Sequence, residues 1–329
     1  MALGQILLPP LQQAVNLTEN SIAESCMPIP VILDTDIGLD VDDVWALAHL
    51  LNCPELDIKL ITTCTGDTTY RAALVAKMLE VAGRTDISIG VGLAGKGSLK
   101  THSEWLGDYQ LSDYPGIVYA DGVAAISDTI LASEKAVTLI AIGPLTNVAA
   151  ALEHAPTIVE NAKFVGMHGS LRVGYVGIAK AMREFNVVQD AAACQKVFAA
   201  PWPKTIAPLD TCGTAVLKGD QYKQVAASKK PLTQAVLQNH HNWFKAALDW
   251  PVMTDLVKSM NPDVQSSVLY DCVAVYLAFS EEGIGMEDLH VLVTDDGKTL
   301  IDERGDLVRC ATHWLDDKAF YQNLTVRLA

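Results

Sequence analysis

The stretch that most constrains the fold lies near the start of the chain, where an apolar run leads into five aspartates and then into a helical pattern. Residues 31–33 form the apolar run, and apolar residues recur from Val44 to Leu51 with the spacing of an amphipathic helix. Gly38, between the two, allows a tight turn. The stretch therefore predicts a strand, a turn and a helix, with these acids at the carboxyl end of the strand: Asp34, Asp36, Asp40, Asp42 and Asp43.

Five carboxylates in one turn repel each other unless something offsets their charge. We expect Asp40 to be the N-cap of the helix, with Asp42 and Asp43 in its first turn, where the helix dipole favours negative charge. Capping does not account for Asp34 and Asp36, because burying them at a strand end without a partner would be costly. A hard cation such as Ca2+ binds several carboxylate and carbonyl oxygens at once. We therefore predict a metal site in this turn rather than capping alone.

Apolar strands alternate with helical patterns along the rest of the chain. Strands are predicted over 56–63, 87–91, 137–142, 163–167 and 205–210, and a hairpin is predicted at 291–297. This alternation indicates an α/β fold, a single domain with a mainly parallel central sheet flanked by helices. Ligands of such sheets bind at the carboxyl ends of the strands. We divide the chain into an N-terminal arm, residues 1–29, and the α/β domain, residues 30–329.

Composition narrows the class of partner. The net charge of −15 argues against nucleic acid and anionic membranes, because binding a polyanion needs a basic face, and leaves a small molecule as the expected ligand. No apolar run is long enough to span a bilayer, and the N-terminus does not read as a signal peptide. The seven cysteines form no CxxC pair, which indicates reduced thiols in a cytoplasmic protein.

Four sequence blocks, in this order, resemble the nucleoside hydrolases of the inosine-uridine-preferring type. The blocks are residues 34–43, 142–147, 184–186 and 270–271, and the resemblance extends from about Val31 to Phe279. It implies a nucleoside-hydrolase-like α/β domain and Ca2+-dependent hydrolysis of the N-glycosidic bond of a ribonucleoside or related N-riboside, releasing base and ribose. It also implies a homodimer or a homotetramer.

The resemblance also implies a metal site and a base. Ca2+ would be held by the carboxylates of Asp36, Asp43 and Asp271 and by the backbone carbonyl of Ile142. Asp36 would also accept the proton of the attacking water, whose pKa the ion lowers.

The sugar would be bound by a second group of residues. Glu184 and Asn186 match the ribose-binding segment of the family. The signature is longer than its commonest form, so either Asp40 or Asp42 contacts the 2′-hydroxyl, and alignment on the following helix favours Asp42. Asp67 stands where many members carry Asn, which adds an acid near the sugar.

The group that protonates the departing base is left open by the sequence. Tyr270 replaces a His that serves as the acid in several members of the family, and Tyr is the weaker acid. Either His240 or His241 supplies the proton, or Tyr270 does, or the base leaves unprotonated. His168, which follows a predicted strand, is a further candidate for the site, although a structural hydrogen bond is the commoner role for such a His.

Two other functions fit parts of the sequence. A nucleoside-binding, inactive relative that kept the metal site is suggested by Tyr270 and by Val176, because either Val176 or Ile178 falls where Asn usually binds the 5′-hydroxyl. A haloacid-dehalogenase-type phosphatase would use Asp34 as nucleophile and Asp36 as acid. The continuation from Gly38 to Asp43 does not match that class.

Overall fold

Ten strands of the described residues, which are 27–97, 99–250 and 257–329 of the computed structural model, form one central sheet. Their bounds are β1 (Ile29–Thr35), β2 (Leu56–Thr63), β3 (Ser88–Val91), β4 (Val118–Tyr119), β5 (Val137–Ala141), β6 (Ala162–Gly166), β7 (Lys204–Ile206), β10 (Ile284–Val293), β11 (Thr299–Ile301) and β12 (Asp306–Trp314). The separate antiparallel pair is β8 (Val216–Lys218) and β9 (Gln265–Val268).

The strand order is β11-β10-β12-β7-β6-β5-β1-β2-β3-β4. The strands from β4 to β12 run parallel, whereas β10 is antiparallel to both β12 and β11. The chain moves outward from β1 through β2, β3 and β4, and then returns to the other side of β1 with β5. This reversal opens a crevice at the carboxyl ends of β1 and β5, where ligands of open α/β sheets bind.

Successive residues of each central strand point to opposite sides of the sheet. Both sides are apolar, and helices cover both. Val31 and Leu33 belong to one apolar core, and Ile32, between them, belongs to the other. The helices are Asp42–Leu51, Thr68–Val81, Ser103–Leu106, Gly122–Ala132, Thr146–His154, Phe185–Gln189, Ala191–Ala199, Leu209–Cys212, Gly219–Ala226, Pro231–Ala247, Tyr270–Leu277 and Lys318–Leu328, and the short 3₁₀ turns are Leu111–Asp113, Pro156–Glu160 and Tyr175–Gly177.

The predicted α/β fold is confirmed, with one local correction among the strands. The strand predicted over 205–210 ends at Ile206, and Asp210 lies instead in the helix Leu209–Cys212. Its carboxylate accepts hydrogen bonds from the backbone N–H groups of Leu171 and Arg172, both at 2.8 Å. Asp210 therefore anchors a neighbouring loop and does not end a strand.

The predicted arm, residues 1–29, lies outside the described residues except for its last three, and Ile29 already belongs to β1. The six cysteines within the described residues are unpaired and buried, as expected, while Cys26 lies outside them. Among the described helices, none combines the length and the apolar character needed to cross a membrane.

Candidate active site

A cavity of about 610 Å³ opens at the carboxyl ends of β1, β5 and β6. One end of it is acidic and is formed by the turn after β1 and by the start of the helix Tyr270–Leu277. The remaining lining is mostly apolar and aromatic: Leu39, Met167, Tyr175, Val176, Met182, Phe185, Val188, Trp250 and Tyr270. The cavity therefore offers one ligand clustered carboxylates, which we call its acidic end, and a mostly apolar lining, which we call its apolar end.

Three carboxylates converge at the acidic end. Asp42, Asp43 and Asp271 each offer an oxygen, and these oxygens all lie within 4.8 Å of one another. Asp42 and Asp43 lie in the first turn of the helix Asp42–Leu51, as predicted, and Asp271 lies in the first turn of the helix Tyr270–Leu277. Two helix N-termini, each favourable for negative charge, thus meet at the cluster.

The electrostatics of this cluster are suited to a cation. Burial raises the pKa of Asp42, Asp43 and Asp271 well above the ordinary range, and repulsion from the neighbouring carboxylates raises it further. Carboxylates this close, each at most 4% exposed, are not all ionised without a compensating positive charge. Because every donor is an oxygen, the cluster fits a hard divalent cation.

The cluster overlaps the metal ligands predicted from the sequence without being identical to them. Asp43 and Asp271 are together as predicted, and Asp42, predicted as the hydroxyl contact, lies with them. Asp36 lines the same cavity, and its charge raises the pKa of Asp43 and Asp271. Ile142 also lines the cavity, and its carbonyl accepts a hydrogen bond from Asn186 Nδ2 at 3.1 Å. A carbonyl oxygen has a second lone pair, so this bond leaves room for a further partner.

Arg71 is a buried cation beside the acidic end that the sequence analysis missed. Its Nε donates to the carbonyl of Thr65 and its Nη1 to the carbonyl of Ile37, both at 2.8 Å, and Nη2 lies 3.9 Å from Asp36 Oδ2. Burial raises the pKa of Asp36, and the charge of Arg71 opposes that rise. The sequence does contain a signal for this role. Arg71 lies one turn into the helix that follows β2, and an acidic residue lies between the strand and the helix.

The other two acids of the turn have separate roles. Asp34 Oδ1 accepts hydrogen bonds from Thr62 Oγ1 at 2.6 Å and Asn147 Nδ2 at 2.8 Å, so it braces β1 against its neighbours. Burial raises the pKa of Asp34 to about 7. The capping role predicted for Asp40 is wrong, because Val41 is the N-cap residue and, among the described residues, Asp40 Oδ1 accepts only from the adjacent Val41 N–H, at 2.6 Å. Asp40 lies on the cavity lining instead.

Glu184 and Asn186, the predicted sugar contacts, both line the cavity. Glu184 caps the helix Phe185–Gln189, accepting from the N–H of Asn186 at 2.7 Å and from those of Val187 and Gly169 at 3.1 Å. Burial raises its pKa to about 7. Asn186 Nδ2 also donates to the carbonyl of Met167 at 3.1 Å, and so it ties the ends of β5 and β6 together.

Asp67 lies beside the main cavity rather than on its lining. It borders an adjoining cavity of about 240 Å³ that shares Asp36 with the main one. Its carboxylate caps the helix Thr68–Val81 by accepting from Tyr70 N at 3.0 Å, and it pairs with Lys100 Nζ at 2.7 Å. The hydrogen bond from Lys100 holds the pKa of Asp67 below its ordinary value.

The structure brings none of the three predicted histidines to the cavity lining. His240 is fully buried beside Trp45, with Nε2 3.2 Å from the carbonyl of Gln265, and burial lowers its pKa to about 3. His241 lies on the outer side of the same helix and pairs with Asp263 at 3.2 Å. His168 is buried, with Nε2 3.0 Å from the carbonyl of Gly143. The site roles predicted for these three histidines are therefore corrected: His168 and His240 are buried structural residues, and His241 lies at the surface.

Tyr270 does line the cavity, and Tyr175 lies against it. Their ring centroids are 6.0 Å apart at an interplanar angle of 82°, an edge-to-face contact. Tyr175 was not predicted from the sequence, because the loop that carries it has no periodic pattern.

Comparisons with known proteins identify the family of the chain. The family model described as inosine-uridine preferring nucleoside hydrolase matches residues 31–322. The pyrimidine-specific ribonucleoside hydrolase RihA of Escherichia coli is 31% identical over 224 residues, which cover 64% of this chain and 70% of that protein. The chain therefore belongs to the inosine-uridine preferring nucleoside hydrolase family, and the predicted enzyme class, a hydrolase of N-glycosyl bonds, is confirmed.

Solved structures agree on the fold. A plant nucleoside hydrolase, PpNRh1, superposes with a TM-score of 0.74 at 22% identity, covering 92% of this chain and 99% of that one. The purine-preferring ribonucleoside hydrolase from Gardnerella vaginalis superposes with a TM-score of 0.72 at 24% identity, covering 91% and 98%. Family membership also removes the basis for the phosphatase alternative.

Proposed function

We propose that the protein is a Ca2+-dependent N-ribohydrolase that cleaves a ribonucleoside or related N-riboside into base and ribose. The observation that carries this proposal is the buried cluster of Asp42, Asp43 and Asp271 at the acidic end of the cavity. Asp36, Asp43, Asp271 and the carbonyl of Ile142 would hold the ion. Ca2+ suits such a set of carboxylates and a carbonyl, whereas Mg2+ usually keeps several waters.

The protein's own residues account for the remaining chemistry. A bound Ca2+ would supply positive charge that lowers the pKa of a water and orients it. Asp36, which lines the cavity beside the cluster, accepts the proton of the attacking water. The surrounding carboxylates stabilise the positive charge that develops on the sugar as the N-glycosidic bond breaks.

The sugar is placed between the acidic cluster and the segment from Glu184 to Asn186. Asp42 is our choice for the 2′-hydroxyl contact, because it lies with Asp43 and Asp271. Asp40 is the alternative, since it also lines the cavity. The base then lies at the apolar end, where its planar face meets aromatic side chains.

We also propose that the protein acts in the cytoplasm as a homodimer or homotetramer, with residues 30–329 as its catalytic domain. The buried, unpaired thiols support a reducing compartment. Sedimentation equilibrium of the purified protein tests the assembly, and a monomer at micromolar concentration would contradict it.

The function is tested by incubating chelator-treated and Ca2+-loaded protein with inosine, uridine, cytidine, adenosine and para-nitrophenyl riboside. We expect release of base or nitrophenol that requires Ca2+, and its loss in Asp271→Asn. Asp263→Asn is the matched control, because that acid pairs with His241 outside the cavity. No turnover of any substrate with Ca2+ present would favour a nucleoside-binding, inactive relative.

Asp36→Ala tests the assignment of the base. We expect it to abolish hydrolysis and to lower Ca2+ occupancy, measured by atomic emission of the dialysed protein. Normal hydrolysis by this variant would refute the role of Asp36.

A further inference from the structure

We propose that Tyr175 is a further catalytic residue, whose hydroxyl donates a hydrogen bond to the departing base. This inference rests on the proposed function, because it takes the acidic end of the cavity as the sugar site. The base is then left with the apolar end, where Tyr175 and Tyr270 form part of the lining.

The hydroxyl of Tyr175 is arranged as a donor toward the cavity. Its oxygen accepts a hydrogen bond from the backbone N–H of Phe185 at 2.8 Å, and no described residue accepts its proton. An O–H group whose oxygen already accepts a bond is polarised into a better donor. The hydroxyl proton of Tyr175 is therefore available for a hydrogen bond to a ligand. Phe185, whose N–H holds the hydroxyl oxygen, lines the same cavity.

The ring of Tyr175 is also held close to the acidic cluster. It packs edge-to-face on Tyr270, at 6.0 Å between centroids, and Tyr270 directly precedes Asp271. Burial raises the pKa of Tyr175, and the charge of Glu184 raises it further. Both effects keep the phenol protonated, so that it acts as a hydrogen-bond donor and not as a phenolate.

The backbone beside Tyr175 is strained. Val176 has φ of 50° and ψ of 30°, a left-handed conformation that is rare for a β-branched residue. The turn is closed by the bond from Gly174 N to the carbonyl of Ile178, at 2.8 Å. Strain of this kind persists where the surrounding structure over-determines it, and it is commonest at functional sites.

Other donors fit the base less well. The hydroxyl of Tyr270 has no hydrogen-bond partner among the described residues to fix its direction. Arg183 lies on the same wall, but its side chain is exposed and its charge acts on Asp296. The three histidines lie elsewhere.

The Tyr175 hydroxyl keeps its proton while the bond to the base is hydrolysed. The N-glycosidic bond breaks and its electron pair moves to the base nitrogen, while the hydroxyl of the attacking water joins the anomeric carbon. The water's proton passes to Asp36 and from there to solvent. The departing base, stabilised by the Tyr175 hydrogen bond, takes a proton from solvent, so that the net reaction is riboside plus water giving ribose plus protonated base.

The test compares Tyr175→Phe with wild type on two substrates, inosine or uridine and para-nitrophenyl riboside. Nitrophenolate is a stable leaving group that needs little help, so its kcat is expected to change less than about threefold. The kcat for the nucleoside is expected to fall about 10- to 100-fold, the effect of one hydrogen bond to a developing charge. KM should change little for either substrate.

Tyr321→Phe is the matched control, because Tyr321 OH also accepts from a backbone N–H, that of Val216 at 3.0 Å, away from the cavity. It should leave both rates unchanged. In a Tyr175→Phe protein that melts cooperatively, an equal loss on both substrates or an unchanged nucleoside rate would each overturn the role of Tyr175. Wild-type protein inactive on both substrates would instead refute the proposed function itself.

Discussion

Replacing Arg71 by Met should destabilise the protein more than any exposed charge replacement. Arg71 is 6% exposed and makes two charge-assisted hydrogen bonds of 2.8 Å, to the carbonyls of Thr65 and Ile37. The two bonds together contribute about 3 to 6 kcal/mol, and the whole cost of removing one partner of a buried ion pair, which already includes such bonds, is about 3 to 5 kcal/mol. We therefore expect a loss of about 3 to 5 kcal/mol in the free energy of unfolding, measured by urea titration.

The loss should depend on pH, with a defined sign. Arg71 opposes the burial that raises the pKa of Asp36, so without Arg71 that pKa rises further. An acid with a raised pKa in the folded state is tolerated when protonated and costs stability once the pH rises and it ionises. The deficit of Arg71→Met should therefore be larger at pH 8 than at pH 5.

Arg84→Met is the matched control for this experiment. Arg84 pairs with Asp86 at 2.9 Å on the surface, where such pairs contribute about 0 to 1 kcal/mol. If Arg71→Met and Arg84→Met lost the same stability, or if the Arg71 deficit were equal at both pH values, the account of Arg71 as a buried counter-charge to Asp36 would fail.

Three further predictions concern the acids and the histidine. Burial raises the pKa of Asp34 from 3.8 to about 7, so the wild-type protein should lose up to about 4 kcal/mol of stability as the pH rises from 4 to 8. Asp34→Asn keeps an acceptor for Thr62 but has no carboxylate to ionise, so urea titration of this variant should not show that loss. Ca2+ at about 100 times its Kd should stabilise chelator-treated protein by about 2.7 kcal/mol in thermal melting, and Asp271→Asn should lose this gain. His241→Ala should leave kcat within twofold of wild type, because His241 pairs with Asp263 outside the cavity.

The sequence predicted the acidic site because its logic is local and topological. An acid after a strand must lie at the strand's carboxyl end, and parallel strands bring those ends to one edge of the sheet. This reasoning placed Asp36 and Asp43 at the cavity, whereas Ile142 and Asp271, which also line it, were assigned from the resemblance to the family.

The errors arose where a role depends on what a side chain faces. His240 and His241 are adjacent on one helix. His240 is the buried one because it packs beside Trp45 and the strand that carries Gln265. The pattern of the helix itself reveals neither neighbour. Asp40 was taken for the cap although the helix begins one residue later than the pattern suggested. Arg71 was overlooked because its partners lie in other segments.

The division of the cavity into an acidic end and an apolar end assigns different chemistry to the two fragments of the substrate. At the sugar, clustered carboxylates and a cation would act on charges that develop as the bond breaks. At the base, the described lining offers phenols but no histidine, so that the leaving group receives a hydrogen bond from a donor that stays protonated. Because the described residues at the apolar end include no strong acid, the rate should depend on how well each departing base stabilises the electron pair that it takes from the broken bond. The ratio of nitrophenyl riboside to nucleoside turnover measures this dependence directly, and Tyr175→Phe should increase it.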